Sequence, residues 1–132
     1  MNKQSYAAGI IDGEGSIGLS KMHKSQHRSP SISVSSTTPE ILEFFKSNWG
    51  GAICKHKKYK KHHKQAFSWR LSYDAAIKFL EEIVQYLLVP EKKYRAELIV
   101  NEYKSIAVRN GKYTEEQLAK RSDFEKRFFA AL

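Results

Sequence analysis

The 132-residue chain is the size of one domain, with room for one sizeable core but not two, so a single domain over residues 1–132 is expected. Its 23 Lys and Arg against 14 Asp and Glu leave a formal charge of +9, which points to a polyanionic partner: DNA, RNA or an anionic membrane surface. Seven Tyr, seven Phe and two Trp exclude a disordered basic tail, the single Cys54 excludes an internal disulfide and four-cysteine zinc sites, and no apolar run is long enough to span a membrane.

Met1-Asn2-Lys3-Gln4 lacks the apolar stretch of a signal peptide, so an intracellular, reducing compartment is expected, with organelle, bacterial and phage-infected hosts all open. A first helix is predicted from about Gln4 to Asp12, stopped by the glycines of Asp12-Gly13-Glu14-Gly15. Two half-buried strands follow as a hairpin: Ile17 and Leu19 alternate with serines and glycine from Ser16 to Lys24, and Ile32 and Val34 alternate with serines from Ser31 to Ser36. Thr38 is placed as an N-cap and Pro39 as the first helical residue. Ile41, Leu42, Phe45 and Trp49 then repeat at helical spacing until Gly50-Gly51.

A second hairpin pairs Ala52–His56 with Gln65–Tyr73, with Phe67, Trp69 and Leu71 on its apolar face. Asp74 is placed as the cap of a third helix carrying Ile77, Leu80 and Val84. Beyond Pro90 a fourth helix presents Ala96, Ile99, Val100 and Tyr103. Thr114-Glu115-Glu116-Gln117 reads as a capping box for a last helix with Leu118, Phe124 and Phe128 inward. The fold class is therefore α+β: helix-strand-strand twice, giving a four-stranded antiparallel sheet with helices on one face, plus a C-terminal helix. The open face must be polar. By strand parity it carries Ser16, Gly18, Ser20, Met22, Lys24, Ser31, Ser33, Ser35, Cys54, His56, Ser68, Arg70 and Ser72.

Two stretches carry chemistry. Lys55-His56-Lys57-Lys58-Tyr59-Lys60-Lys61-His62-His63-Lys64 puts six lysines in ten residues at the tip of the second hairpin, suited to neutralising phosphates along a duplex or, more plainly, to a solvated loop. His62 and His63 point to opposite strand faces and have no third ligand nearby, which argues against a structural metal there. The other stretch is Tyr6 to Ile17. Gly9 and Gly13 lie four apart with Ala8 beside them, so two helix backbones can approach closely. Gly13-Glu14 ends the helix where carbonyls are free and the dipole is negative, a setting that with the added carboxylate attracts magnesium or manganese; a plain helix C-cap with a solvated Glu14 fits equally.

Ala8-Gly9-Ile10-Ile11-Asp12-Gly13-Glu14-Gly15-Ser16-Ile17 resembles the signature motif of the LAGLIDADG homing endonucleases. The resemblance continues in Leu87-Leu88-Val89 and Lys92-Lys93-Tyr94-Arg95-Ala96 and in the element order αββαββα, and it covers roughly residues 6 to 106. It implies a site-specific endonuclease making metal-dependent double-strand breaks. Glu14 and the Gly13 carbonyl would be metal ligands, Asp12 a structural cap, and Lys92 the active-site lysine that polarises the attacking water or offsets phosphate charge, with Lys93 as the alternative. The water-ordering region of the family reads Ser35-Ser36-Thr37 here, hydroxyls shorter than Gln or Asn. One copy of the motif implies a homodimer joined through Ala8, Gly9, Asp12 and Gly13, hence a pseudo-palindromic double-stranded DNA target. Arg70, Lys24 and His56 are the candidate base readers, with Ser20, Met22, Ser33 and Ser68 beside them and Lys57, Lys58, Lys60 and Lys61 on phosphates. Arg121, Lys126 and Arg127 of the last helix are placed within reach of phosphates. A non-cleaving maturase or regulator of the same fold, and a basic protein-interaction domain, are the competing readings.

Overall fold

A computed structural model describes residues 1–21, 27–57, 64–108 and 111–131. Helix α1 (Lys3–Glu14) starts at Asn2, whose side chain accepts from the Ser5 N–H, and it runs two residues past the expected stop. It passes straight into β1 (Gly15–Ser20) with no loop. Gly15 makes this joint possible, because a Cβ there would stand 2.7 Å from Ile11 Cδ1 and 2.8 Å from Ile11 Cα. β1 ends at Ser20 rather than Lys24, and Met22 and Lys24 lie outside the described residues.

The remaining elements are β2 (Ser29–Ser36), α2 (Pro39–Trp49), β3 (Ala52–Lys55), β4 (Phe67–Ser72), α3 (Tyr73–Ile83), α4 (Pro90–Leu98), α5 (Lys104–Ile106) and α6 (Glu115–Ala130). A short 3-10 turn (Val84–Tyr86) follows α3, and a π turn (Ile99–Tyr103) widens the helix between α4 and α5. Thr38 and Pro39 open α2 as expected. The bond there is made by Ser36, whose Oγ accepts from the Thr38 N–H. Gly50 and Gly51, at φ 80° and 90°, end it in a conformation that side chains rarely adopt. Asp74 does not cap α3: the helix begins at Tyr73, with Ser72 in the cap position, and Asp74 sits in its first turn.

The four strands lie in the order β1-β2-β4-β3, all pairs antiparallel. One transverse row runs Ile17, Ile32, Leu71, and another runs Val34, Trp69, Ile53; these rows face the helices. The core gathers there. Phe45 stacks on Trp69 at 4.6 Å between centroids, Phe79 meets both, and Trp69 Nε1 donates to the Gly50 carbonyl at 2.7 Å. Each large side chain buried this way contributes about 1.5–3 kcal/mol.

Helix α6 departs from expectation on its inner face. The Thr114–Gln117 capping box forms, and Phe124 and Phe128 are buried, but Leu118 is 44% exposed. Arg121 takes the inward place at 3% exposure. Its guanidinium donates to the Tyr113 hydroxyl and the Arg28 carbonyl and lies over the Tyr103 and Tyr113 rings. Arg121 thus ties α6 to the chain entering β2 and is not available to phosphates. Arg127 is likewise occupied, with two bonds of 2.7 Å to Glu102 and one of 3.0 Å to Asp123.

Candidate nucleic-acid interface and acidic centre

The end of α1 is held by a reciprocal clamp. The Asp12 carboxylate accepts from the backbone N–H groups of Leu88 (2.9 Å) and Val89 (3.1 Å), where the chain enters α4. Lys92, in the first turn of α4, sends Nζ back to the carbonyls of Ile11 and Asp12, both at 2.8 Å. A cation at the carbonyls of a helix C-terminus is favourable both as a hydrogen-bond donor and against the helix dipole, here alongside the Gly15 N–H that also donates to the Ile11 carbonyl. Lys92 thus fixes the turn that presents Gly13 and Glu14.

Glu14 itself is exposed and has no hydrogen bond or ion pair among the described residues. Its carboxylate and the adjacent Gly13 carbonyl are hard oxygen donors of the kind magnesium and manganese take, though they make only part of a coordination set. Among the described residues no cluster of three or more acidic, His or Cys side chains stands ready to hold a metal. The donor set fits a divalent ion when a second set is brought to it.

The outer face of α1 is bare. Ser5, Gly9 and Gly13 are exposed, and a Cβ added at either glycine would meet nothing within 4 Å. Two residues expected on this face belong elsewhere. Ala8 is fully buried in the core of its own chain, and the Asp12 carboxylate is spent on Leu88 and Val89. The bare stripe is therefore narrower than the sequence suggests, and smooth.

The open face of the sheet matches strand parity. One row across it reads Ser16, Ser33, Arg70, Ala52; a second reads Gly18, Ser31, Ser72; a third reads Ser35, Ser68, Cys54. Arg70 is exposed, Ser33 and Ser68 are half-buried, and Ser20 sits at the outer end of β1, its carbonyl accepting from the Ser29 hydroxyl. No Asp or Glu lies in these rows. Lys55, His56, Lys57 and Lys64 are exposed at the end of the second hairpin, while Lys58, Lys60, Lys61, His62 and His63 fall outside the described residues. His56 is anchored at both backbone groups: its N–H donates to the Ala66 carbonyl at 2.8 Å, and its carbonyl accepts from Gln65 Nε2 at 2.6 Å. Its Nε2 is hydrogen-bonded to Ser68 Oγ, which in turn shares a 2.8 Å bond with Ser35 Oγ. The contributions of Gln65 and of the Ser35 bond were not anticipated. The strand register that puts Ser35 opposite Ser68 is the signal from which the latter follows.

The strongest ionic perturbation lies away from both surfaces. Arg127 holds the Glu102 carboxyl below its ordinary range, chiefly by hydrogen bonding, and Glu102 in turn raises the Arg127 guanidinium. Burial pushes the Tyr103 phenol up. No helix among the described residues is long and apolar enough to cross a membrane.

No protein-family model matches the chain, and no curated protein matches it. Solved structures do. The archaeal intron-encoded homing endonuclease I-Vdi141I, complexed with DNA, aligns over 96% of this chain and 97% of its own at 17% identity and a TM-score of 0.54. The homing endonuclease I-CvuI, in complex with its target, aligns over 95% and 94% at 17% identity and a TM-score of 0.59. The I-SmaMI LAGLIDADG homing endonuclease, bound to cleaved DNA, is 21% identical with a TM-score of 0.51, and this chain spans 48% of it. In element order, sheet topology and overall superposition, the chain has the LAGLIDADG homing-endonuclease fold.

Proposed function

We propose that the chain is a site-specific DNA endonuclease that acts as a homodimer and makes a double-strand break at a long pseudo-palindromic target with magnesium or manganese. The observation that carries this reading is the position of Glu14. Among the described residues it is an unpaired, exposed carboxylate at the end of a helix with a smooth outer face, where that helix runs directly into a sheet surface whose paired rows carry Arg70 and no acid. Two copies joined along the Gly9–Gly13 stripe bring two Glu14 carboxylates together and lay one sheet face over each half-site. The structural neighbours support it: two of about this chain's length and one about twice as long are homing endonucleases in complex with DNA.

The Glu14 carboxylate and the Gly13 carbonyl would hold the divalent ion, with the same pair from the second copy, water and phosphate oxygens completing the set. Bound there, such an ion makes water more acidic and offsets charge on the scissile phosphate. The chain's own residues do the positioning. Lys92 and Asp12 fix the end of α1, the sheet rows orient the duplex, and the hairpin lysines hold its phosphates.

A non-cleaving DNA- or RNA-binding module, a maturase or regulator, is favoured by one observation: Lys92 Nζ, which the resemblance assigns to the attacking water, is engaged by two carbonyls. Cleavage decides between the two. The substrate is the duplex obtained by joining the sequences that flank the host intron or intein, assayed with magnesium and with calcium. Magnesium-dependent double-strand cleavage is expected, reduced at least roughly a hundredfold in Glu14→Gln with binding retained. Tight binding without cleavage by the wild type establishes the second reading instead.

A further inference from the structure

We propose that His56 reads one base pair in each half-site through Nδ1, and that Ser68 and Ser35 are positioning residues that decide whether this nitrogen donates or accepts. The inference rests on the sheet face being the DNA-binding surface and adds which atom reads and what sets it. Three side chains from three segments form one chain of hydrogen bonds on that face: Ser35 on β2, Ser68 on β4 and His56 just beyond β3. Ser35 and Ser68 are directly opposite in the register. His56, whose backbone pairs with Ala66, is the diagonal neighbour of Ser68.

A hydroxyl has one proton to give. Ser68 therefore donates to at most one of its two neighbours, and with the three side chains linked head to tail the chain runs in one direction or the reverse. When Ser35 donates to Ser68 and Ser68 donates to His56 Nε2, the neutral ring carries its proton on Nδ1, and that atom is a donor. When Nε2 donates to Ser68 and Ser68 to Ser35, Nδ1 is an acceptor. A donor reads guanine O6 and N7 or thymine O4, and an acceptor reads the amino groups of cytosine or adenine. The same logic governs metal-bound histidines, whose second nitrogen is oriented by an outer partner.

This arrangement makes Ser68 unsuited to reading a base of its own, since its hydroxyl already has a partner on each side. Nδ1 of His56 has no partner among the described residues, and the residue is exposed. The His56 N–H donating to the Ala66 carbonyl and the Gln65 side-chain amide donating to the His56 carbonyl hold the residue's backbone in place, so less ordering remains to be done when DNA arrives.

The test is selection from a fully randomised duplex library, with calcium in place of magnesium so that bound DNA is recovered intact. The proteins are the wild type, His56→Ala, Ser68→Ala, Ser35→Ala, Ser68→Thr and the His56→Ala/Ser68→Ala pair, each checked for an unchanged melting temperature. His56→Ala is expected to relax base preference roughly tenfold at one position in each half-site and nowhere else. Ser68→Ala and Ser35→Ala alter preference at that same position, the double variant loses no more than His56→Ala alone, and Ser68→Thr, which keeps the hydroxyl, restores the wild-type preference. Footprints at different positions, an unchanged motif in Ser68→Ala, or Ser68→Thr behaving like alanine would each overturn the inference while leaving the DNA-binding reading intact. A wild type that enriches no sequence overturns that reading itself.

Discussion

Lys92 Nζ lies 2.8 Å from the main-chain carbonyl of Asp12, while the Asp12 carboxylate caps the backbone leading to Lys92, so each residue secures the segment that bears the other. Bonds from a charged donor or acceptor are worth about 1.5–3 kcal/mol each, and removing Lys92 takes this donor from two part-buried carbonyls, of which that of Ile11 keeps the Gly15 N–H. Lys92→Met is expected to lower stability by about 1–3 kcal/mol in urea denaturation. Because both residues serve one clamp, Asp12→Asn combined with Lys92→Met costs less than the sum of the two. Strict additivity would mean that the halves act separately.

The glycines on and just after the first helix separate cleanly by role. A Cβ added at Gly9 would meet nothing within 4 Å, so the fold accepts Gly9→Ala, which gains about 0.5–1 kcal/mol of helix propensity, and Gly9→Leu starts from the same open, exposed position. The leucine is expected to shift the protein from dimer to monomer in sedimentation and to abolish cleavage. Gly15→Ala does the opposite. Its methyl group would clash with Ile11, destabilising each subunit by about 1–3 kcal/mol regardless of association.

Phosphate binding by the second hairpin is read from salt dependence. Each phosphate neutralised contributes about −0.9 to the slope of log K against log salt. Lys55→Gln with Lys57→Gln, both exposed beside His56, is expected to reduce that slope by about two without changing the selected sequence. An unchanged slope would assign those lysines to solvent.

The Glu102–Arg127 pair sets an acid limb of stability. The folded carboxyl titrates below its ordinary value of 4.5, so its contribution is fully present above that pH and is lost as pH falls through the lowered value. Glu102→Gln is expected to be less stable than the wild type at neutral pH, and the two should converge as the pH drops well below about 4. Thermal melts across that range check it. A constant gap would mean that packing, not charge, makes the difference.

What the sequence reveals divides along the range of the interactions. Caps are local chemistry: Thr38-Pro39 with Gly50-Gly51, and Thr114 with Gln117, mark α2 and the start of α6 from neighbouring residues alone. Strand parity likewise orders the open face, because side chains alternate whatever the partner. What neighbouring residues leave hidden depends on distant contacts. Lys92 is separated by 81 residues from the Ile11 carbonyl it binds, so no window of sequence shows that the amine is spoken for. Arg121 reads as a surface charge until the Arg28 carbonyl and Tyr113 close around it. Ala8 and Gly9 are both small and adjacent, and only packing decides that one faces the core and the other faces out.

The absence of any loop between α1 and β1 makes Glu14 part of a rigid joint. In the proposed dimer the stagger between the two broken strands is thus a fixed gauge, set by how two helices cross at the axis. If the proposed function holds, redrawing the serines, His56 and Arg70 of the sheet would readdress the dimer to new targets, yet every one of those targets would be cut with the same overhang.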